Sequence, residues 1–187
     1  HTTVPLGGSA ASPQCNVGPY SVGLMYVAPE WRDGEPLEHN WIGRAGAEDF
    51  SRLLDYQGAF QPGAQRFDVG ERANFALLPM VNEALDMLLT WGVPDIARTL
   101  GERTRQIAEA CLELGLHSAK ADLRVPHFLG LSLPDGVSAQ ALARSLAERA
   151  VHVSVRGSSV RITPHLYNTD DDTERLLEAI RDALRGG

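Results

Sequence analysis

Lysine is almost absent from this chain. Lys120 is the single one among 187 residues, and every other basic side chain is arginine. A mechanism that needs an amine nucleophile is therefore confined to one position. Cysteine is scarce as well: Cys15 and Cys111 lie far apart and match no metal or redox spacing. Two free thiols in a reducing cytoplasm are the expectation. Excess positive charge is missing, since 17 Lys and Arg stand against 24 Asp and Glu, a net of −7. That excludes a general nucleic-acid or anionic-membrane binder, because neutralising phosphates takes clustered cations. No apolar run approaches the roughly 20 residues that span a bilayer. The opening residues do not read as a charged-then-apolar signal peptide. Neither a G-x-G-x-x-G turn after a strand nor a Walker lysine loop occurs. The histidines are scattered, and His117 and His127 lack a nearby third ligand for zinc.

What remains is a globular composition, 43% apolar and 22% charged. Residues 1–18 are small, polar and rich in Gly and Pro, an irregular leader or linker. The run Val22–Val27 predicts a buried strand. Residues 28–70 predict a long loop with many aromatics, more typical of an interface than of a spacer, with one short helix over 49–54. Helical spacing begins near Glu71 and runs through Phe75, Leu78, Val81, Leu85, Leu88 and Leu89 to a stop at Trp91-Gly92. Pro94 opens a second helix, with Ile96, Leu100, Ile107, Ala108, Cys111 and Leu114 on its stripe and Gly115 at its end. At more than 20 residues it is long enough, about 30 Å, to bridge two lobes.

The rhythm then changes. Pro126–Leu133 predicts a strand, Pro134-Asp135-Gly136 a turn, and Ser138 a helix start. His152–Val155 and Val160–Ile162 predict a hairpin around Gly157-Ser158. Asp170–Asp172 supply cap and first-turn acids to a last helix through Leu184. The fold class is α/β, ending in a small α+β lobe with a short sheet and helices on one face. The expected organisation is 1–18 leader, 19–92 one domain, 93–187 a bridging helix and C-terminal small domain.

Two arginines stand out in that lobe. Arg156 follows the first hairpin strand, and Arg161 lies within the second. An arginine inside a strand points to one face, and if turned inward it needs an anion. Its planar fork matches a carboxylate. The alternative is an ordinary surface or ion-paired arginine.

Three segments in order, GPYSVGLMYVAPEW, RFDVGERANFALLPMVNEALDMLLTWGVPDIA and SVRGSSVRITPHLYNTDDDTERLLEAI, resemble the C-terminal half of class V aminotransferases. These are fold-type-I enzymes that use pyridoxal 5′-phosphate (PLP), and the group includes cysteine desulfurases and isopenicillin N epimerase-like proteins. The resemblance covers about residues 18–185, and its most specific piece is the strand arginine followed by YNT and an acidic helix start. It implies long bridging helices plus a short sheet, an amino-acid substrate, and a remnant of the large cofactor domain over 19–92.

The resemblance also implies roles. Arg161 matches the arginine that grips the substrate α-carboxylate. Arg156 matches a motif arginine near the active-site entrance. Asp68-Val69-Gly70-Glu71 matches a loop that reaches the cofactor phosphate of a neighbouring subunit, so Gly70 and Glu71 are cofactor-binding candidates. Many relatives carry threonine after that glycine, and Glu71 departs from the pattern. The Schiff-base lysine falls at about Gln14, which has no basic amine. No cysteine lies between Arg124 and Arg161, where desulfurases place their persulfide-forming residue, which favours an epimerase-like or lyase-like relative. The leading expectation is therefore the C-terminal part of an enzyme acting on an amino acid (epimerase, lyase or transaminase type), inactive alone because the Schiff-base lysine is absent from this chain. The second is a non-catalytic subunit, a homodimer or a partner for a companion large-domain chain. The third is an amino-acid-sensing α+β module.

Overall fold

The computed structural model describes residues 9–11, 19, 21–52, 54–55 and 57–185. The chain divides into two compact units, residues 1–90 and 91–187.

The second unit is built on apolar periodicity. Helix α2, Val93–Glu113, has a proline in its first turn and a glycine before it at φ +79°. Its stripe of Leu100, Thr104, Ile107, Ala108 and Cys111 is buried. Gly115 ends it at φ +82°, a left-handed geometry that disfavours any side chain. The helix lies within the unit of residues 91–187. Strand β3, Leu129–Ser132, alternates strictly, with Leu129 and Leu131 buried and Gly130 and Ser132 exposed. Helix α3, Ala139–Ala147, starts at Ser138, whose hydroxyl accepts the Ala141 N–H at 3.3 Å. Strands β4, Ser154–Arg156, and β5, Ser159–Ile162, form the predicted hairpin, turned by Gly157 at φ +58°. Helix α4, Asp170–Arg185, follows.

The sheet order is β3-β5-β4, antiparallel throughout. In register, Gly130 and Ser154 flank Arg161, while Leu131 and Val155 flank Val160. Val160 and Ile162 therefore join Leu129 and Leu131 in one core with Ile107, Cys111, Leu142, Leu146, Leu176 and Ile180 of the helices. Each such fully buried side chain contributes about 1.5–3 kcal/mol by leaving water. The three helices of this unit cover that one face, as the period-2 pattern requires.

The first unit has no comparable core. Its buried hydrophobic residues are Ala47, Val81 and Ala84, among the described ones. Strand β2 is Gly23–Met25, shorter than predicted, and pairs antiparallel with β1, Ser9–Ala11. Strand β1 lies inside the segment expected to be irregular. Contrary to expectation β2 is exposed, because no described part of the chain covers Leu24 or Met25. The loop over 28–70 holds short 3-10 turns, one of them Phe50–Arg52 at the predicted short helix. Its centre is pinned by the buried Gln61, whose amide donates to the Arg44 carbonyl at 3.0 Å and to Glu48 at 2.8 Å.

Helix α1, Leu78–Trp91, begins seven residues later than the apolar spacing predicts. Glu71 sits at φ +56°, which breaks the helical path. Asn74 then opens the first turn, accepting the Leu77 N–H on its side chain at 2.9 Å.

Candidate functional site

The face of the β3-β5-β4 sheet opposite the helices is where the arginines stand. Arg161 alternates with the buried Val160 and Ile162, so its side chain leaves on the open face. Its cross-strand neighbours are Gly130 and Ser154, which leave space around a long side chain. The residue is half-buried, and its Nε is buried with no hydrogen-bond partner. Arg156 pairs in register with Ser159, which shares a face with Arg161. The hairpin therefore brings both predicted arginines onto one surface, as a diagonal cross-strand pair about 7–8 Å apart at the backbone. Arg156 is exposed and donates to the Val155 carbonyl at 2.8 Å. A surface with a guanidinium Nε lacking an acceptor, set among Gly and Ser, is chemically fitted to a small anion.

The loop that follows β5 is locked to the start of α4. Thr169 and Asp172 form a capping box: the Asp172 carboxylate accepts the Thr169 N–H at 2.9 Å, and the Thr169 hydroxyl accepts the Asp172 N–H at 3.3 Å. The backbone N–H of Thr169, then the side-chain amide of Asn168, hold the Asp172 carboxyl below its usual range. Arg103 of α2 donates to the Thr169 carbonyl at 2.6 Å and to the Thr173 hydroxyl at 2.8 Å, and pairs with Asp170 at 3.3 Å. A cleft of about 300 Å³ opens beside this knot, lined among others by Arg103, Val151, His152, Tyr167 and Leu176. Its Arg103 and Asp172 are already engaged by these bonds. The T-x-x-D spacing was readable as a capping box. The contribution of Arg103, from 66 residues upstream, carried no sequence signal.

Gly70 and Glu71 belong to the other unit. The Gly70 N–H donates to Glu38 Oε1 at 3.0 Å, and a Cβ at Gly70 would meet that oxygen at 2.9 Å. Arg72 is ion-paired with Asp68, and Asn40 donates to the Asp68 carbonyl at 3.3 Å. No helix starts after Gly70, although the apolar spacing predicts one from Glu71, so no free helix-start amides are presented there. A phosphate here has to displace one carboxylate and lie beside another, so this turn as it stands does not fit the PLP phosphate. Gln14 lies outside the described residues. Lys120 is exposed on the connection between α2 and β3, at the start of a 3-10 turn, Ala121–Leu123. Among the described residues no group of His, Cys, Asp and Glu is placed to hold a metal ion. None of the helices described is long and apolar enough to cross a membrane.

No family model and no curated protein sequence matches the chain. Solved structures do. The cysteine desulfurase CsdA of Escherichia coli is 18% identical with a TM-score of 0.70, over 91% of this chain and 44% of that one. A C-DES variant with glycine covalently linked to its PLP cofactor is 18% identical with a TM-score of 0.68, over 89% and 43%. The alanine–glyoxylate aminotransferase of a Nostoc species is 22% identical with a TM-score of 0.52, over 66% and 34%. The fold is thus that of the C-terminal part of PLP-dependent fold-type-I enzymes. The chain spans less than half the length of each of these structures.

Proposed function

We propose that this chain supplies the substrate-carboxylate side of a PLP-dependent enzyme of the class V aminotransferase type, acting on an α-amino acid. The observation that carries this reading is the buried, unpartnered Nε of Arg161 on the open face of the sheet. Arg161 grips the α-carboxylate through two parallel hydrogen bonds, and Arg156 adds positive potential toward the rim of the same face. The cofactor would supply the electron sink for chemistry at the α-carbon. The group that binds it covalently comes from another stretch of polypeptide, because the one lysine of this chain is Lys120 and the family position is Gln14. The chain alone then binds amino acids without converting them. Arg161→Ala is expected to abolish L-alanine binding in an NMR titration, and Arg161→Lys to recover only part of it, because an ammonium lacks the fork. Unchanged binding in Arg161→Ala would remove this reading.

The surface of residues 1–90 favours a companion reading as well. Leu37, Phe50, Leu54, Phe75, Met80 and Leu89 are all exposed there, large apolar side chains that packing against a partner would remove from water. Such a surface needs a cover, either a second copy or a chain carrying the larger cofactor domain. The absence of a persulfide-type cysteine between Arg124 and Arg161 favours an epimerase or lyase chemistry for the assembled enzyme over desulfuration.

A further inference from the structure

The open face of the sheet carries more positive charge than one carboxylate needs. Its side chains come from alternate strand positions: Gly130 and Ser132 of β3, Arg161 and Ser159 of β5, Ser154 and Arg156 of β4. Leu129, Leu131, Val155, Val160 and Ile162, which face the core, fix this assignment. A slip of one residue would turn both arginines inward, so the register that brings them to one face is strongly specified. These positions hold two guanidiniums, three hydroxyls and no carboxylate.

Neither guanidinium enters an ion pair among the described residues. Arg156 donates to the adjacent Val155 carbonyl and is exposed. Other arginines of this unit do have acidic partners: Arg103 pairs with Asp170, Arg105 with Glu109 and Arg149 with Asp182. The open face thus concentrates cations without counter-charge, on a chain whose net charge is −7.

Geometry sets what can join the two. Ser154 is the direct cross-strand partner of Arg161, and Arg156 lies two residues further along the same strand. The arginines are therefore diagonal neighbours, about 7–8 Å apart at the backbone. Each planar fork matches one carboxylate. In an extended glutamate the two carboxylate carbons lie about 5 Å apart. Two long, flexible side chains rising from one face can close on that span.

We infer that Arg156 is a second anion-recognition group of the Arg161 site, holding the side-chain carboxylate of an acidic α-amino acid whose α-carboxylate Arg161 holds. This assignment rests on the carboxylate reading of Arg161. It narrows the substrate class to amino acids with a second carboxylate. Because Arg156 is exposed, the added pair is a modest one, favouring such ligands by about two- to fivefold at low salt.

The test is an NMR titration of the isotope-labelled chain at low ionic strength with L-glutamate and with L-glutamine, which has the same shape without the side-chain charge. L-glutamate is expected to bind about two- to fivefold tighter, against the net charge of the chain. The ratio should shrink as sodium chloride is raised. Arg156→Gln should bring it to one or below. Arg156→Lys keeps a cation without the fork and should recover part of the preference. Equal binding of the two ligands by the unmodified chain, or a preference that survives Arg156→Gln, would overturn the inference and leave Arg161 untouched. Binding of neither ligand, or binding of both unaffected in a folded Arg161→Ala variant, would remove the carboxylate reading, and this inference with it.

Discussion

Cys111 lies among Ile107, Leu116 and Leu129 with no exposed surface. Burial pushes its thiol up to about 11, because the thiolate loses its hydration there. The nucleophilic form is thus scarce at neutral pH, and the sulfur is sterically shut off. Iodoacetamide at pH 8 is expected to leave Cys111 unmodified in the native chain and to alkylate it fully in denaturant, as read by peptide mass. Rapid native labelling at Cys111 would contradict the packing described. At this scale the sequence was informative where chemistry is local. A strand arginine between Val160 and Ile162 already implied a choice of face. It was uninformative where a partner lies far off: nothing near Gly70 announces that Glu38 takes its amide, and nothing near Thr169 announces Arg103.

Elements were legible in proportion to their burial. Helix α2 and the 154–162 hairpin follow their apolar periods because one face of each meets the core. Helix α1 did not start where its spacing predicted, since Glu71 adopts a left-handed backbone that periodicity does not encode. Strand β2 was predicted buried from its composition, but composition reports a need for burial and not what satisfies it. The start of α4 offers a quantitative check. Asp172 is held below its usual range by the Thr169 N–H and then by Asn168. A carboxyl depressed in the folded state adds stability that is complete above the unfolded value, near pH 4. That stability is lost as pH falls through the lower folded value. Asp172→Asn is therefore expected to unfold at lower urea than the unmodified chain at pH 7, with the gap closing below about pH 4. A gap that stays constant from pH 7 to pH 3 would show that the capping carboxylate contributes nothing through its charge.

The whole molecule combines one well-packed unit with one that is mostly surface. Residues 91–187 bury a contiguous core between three helices and a sheet, whereas residues 1–90 bury three small or medium apolar side chains among those described. The apolar loop over 28–70 marked this imbalance in the sequence, but no residue in it named the cover. Sedimentation velocity is expected to show association that rises with concentration, driven by the exposed apolar side chains of residues 1–90. A single monomeric species up to high concentration would argue against a companion surface.

The proposed function has this chain carry the substrate-binding side of a PLP enzyme and not the amine that binds the cofactor covalently. Incubation with PLP, borohydride reduction and peptide mass mapping test it most directly. No stoichiometric adduct is expected, at most a weak one at the exposed Lys120 that amino acids do not block. A stoichiometric adduct at Lys120, blocked by a substrate amino acid, would contradict it and show a complete active site rebuilt within these 187 residues.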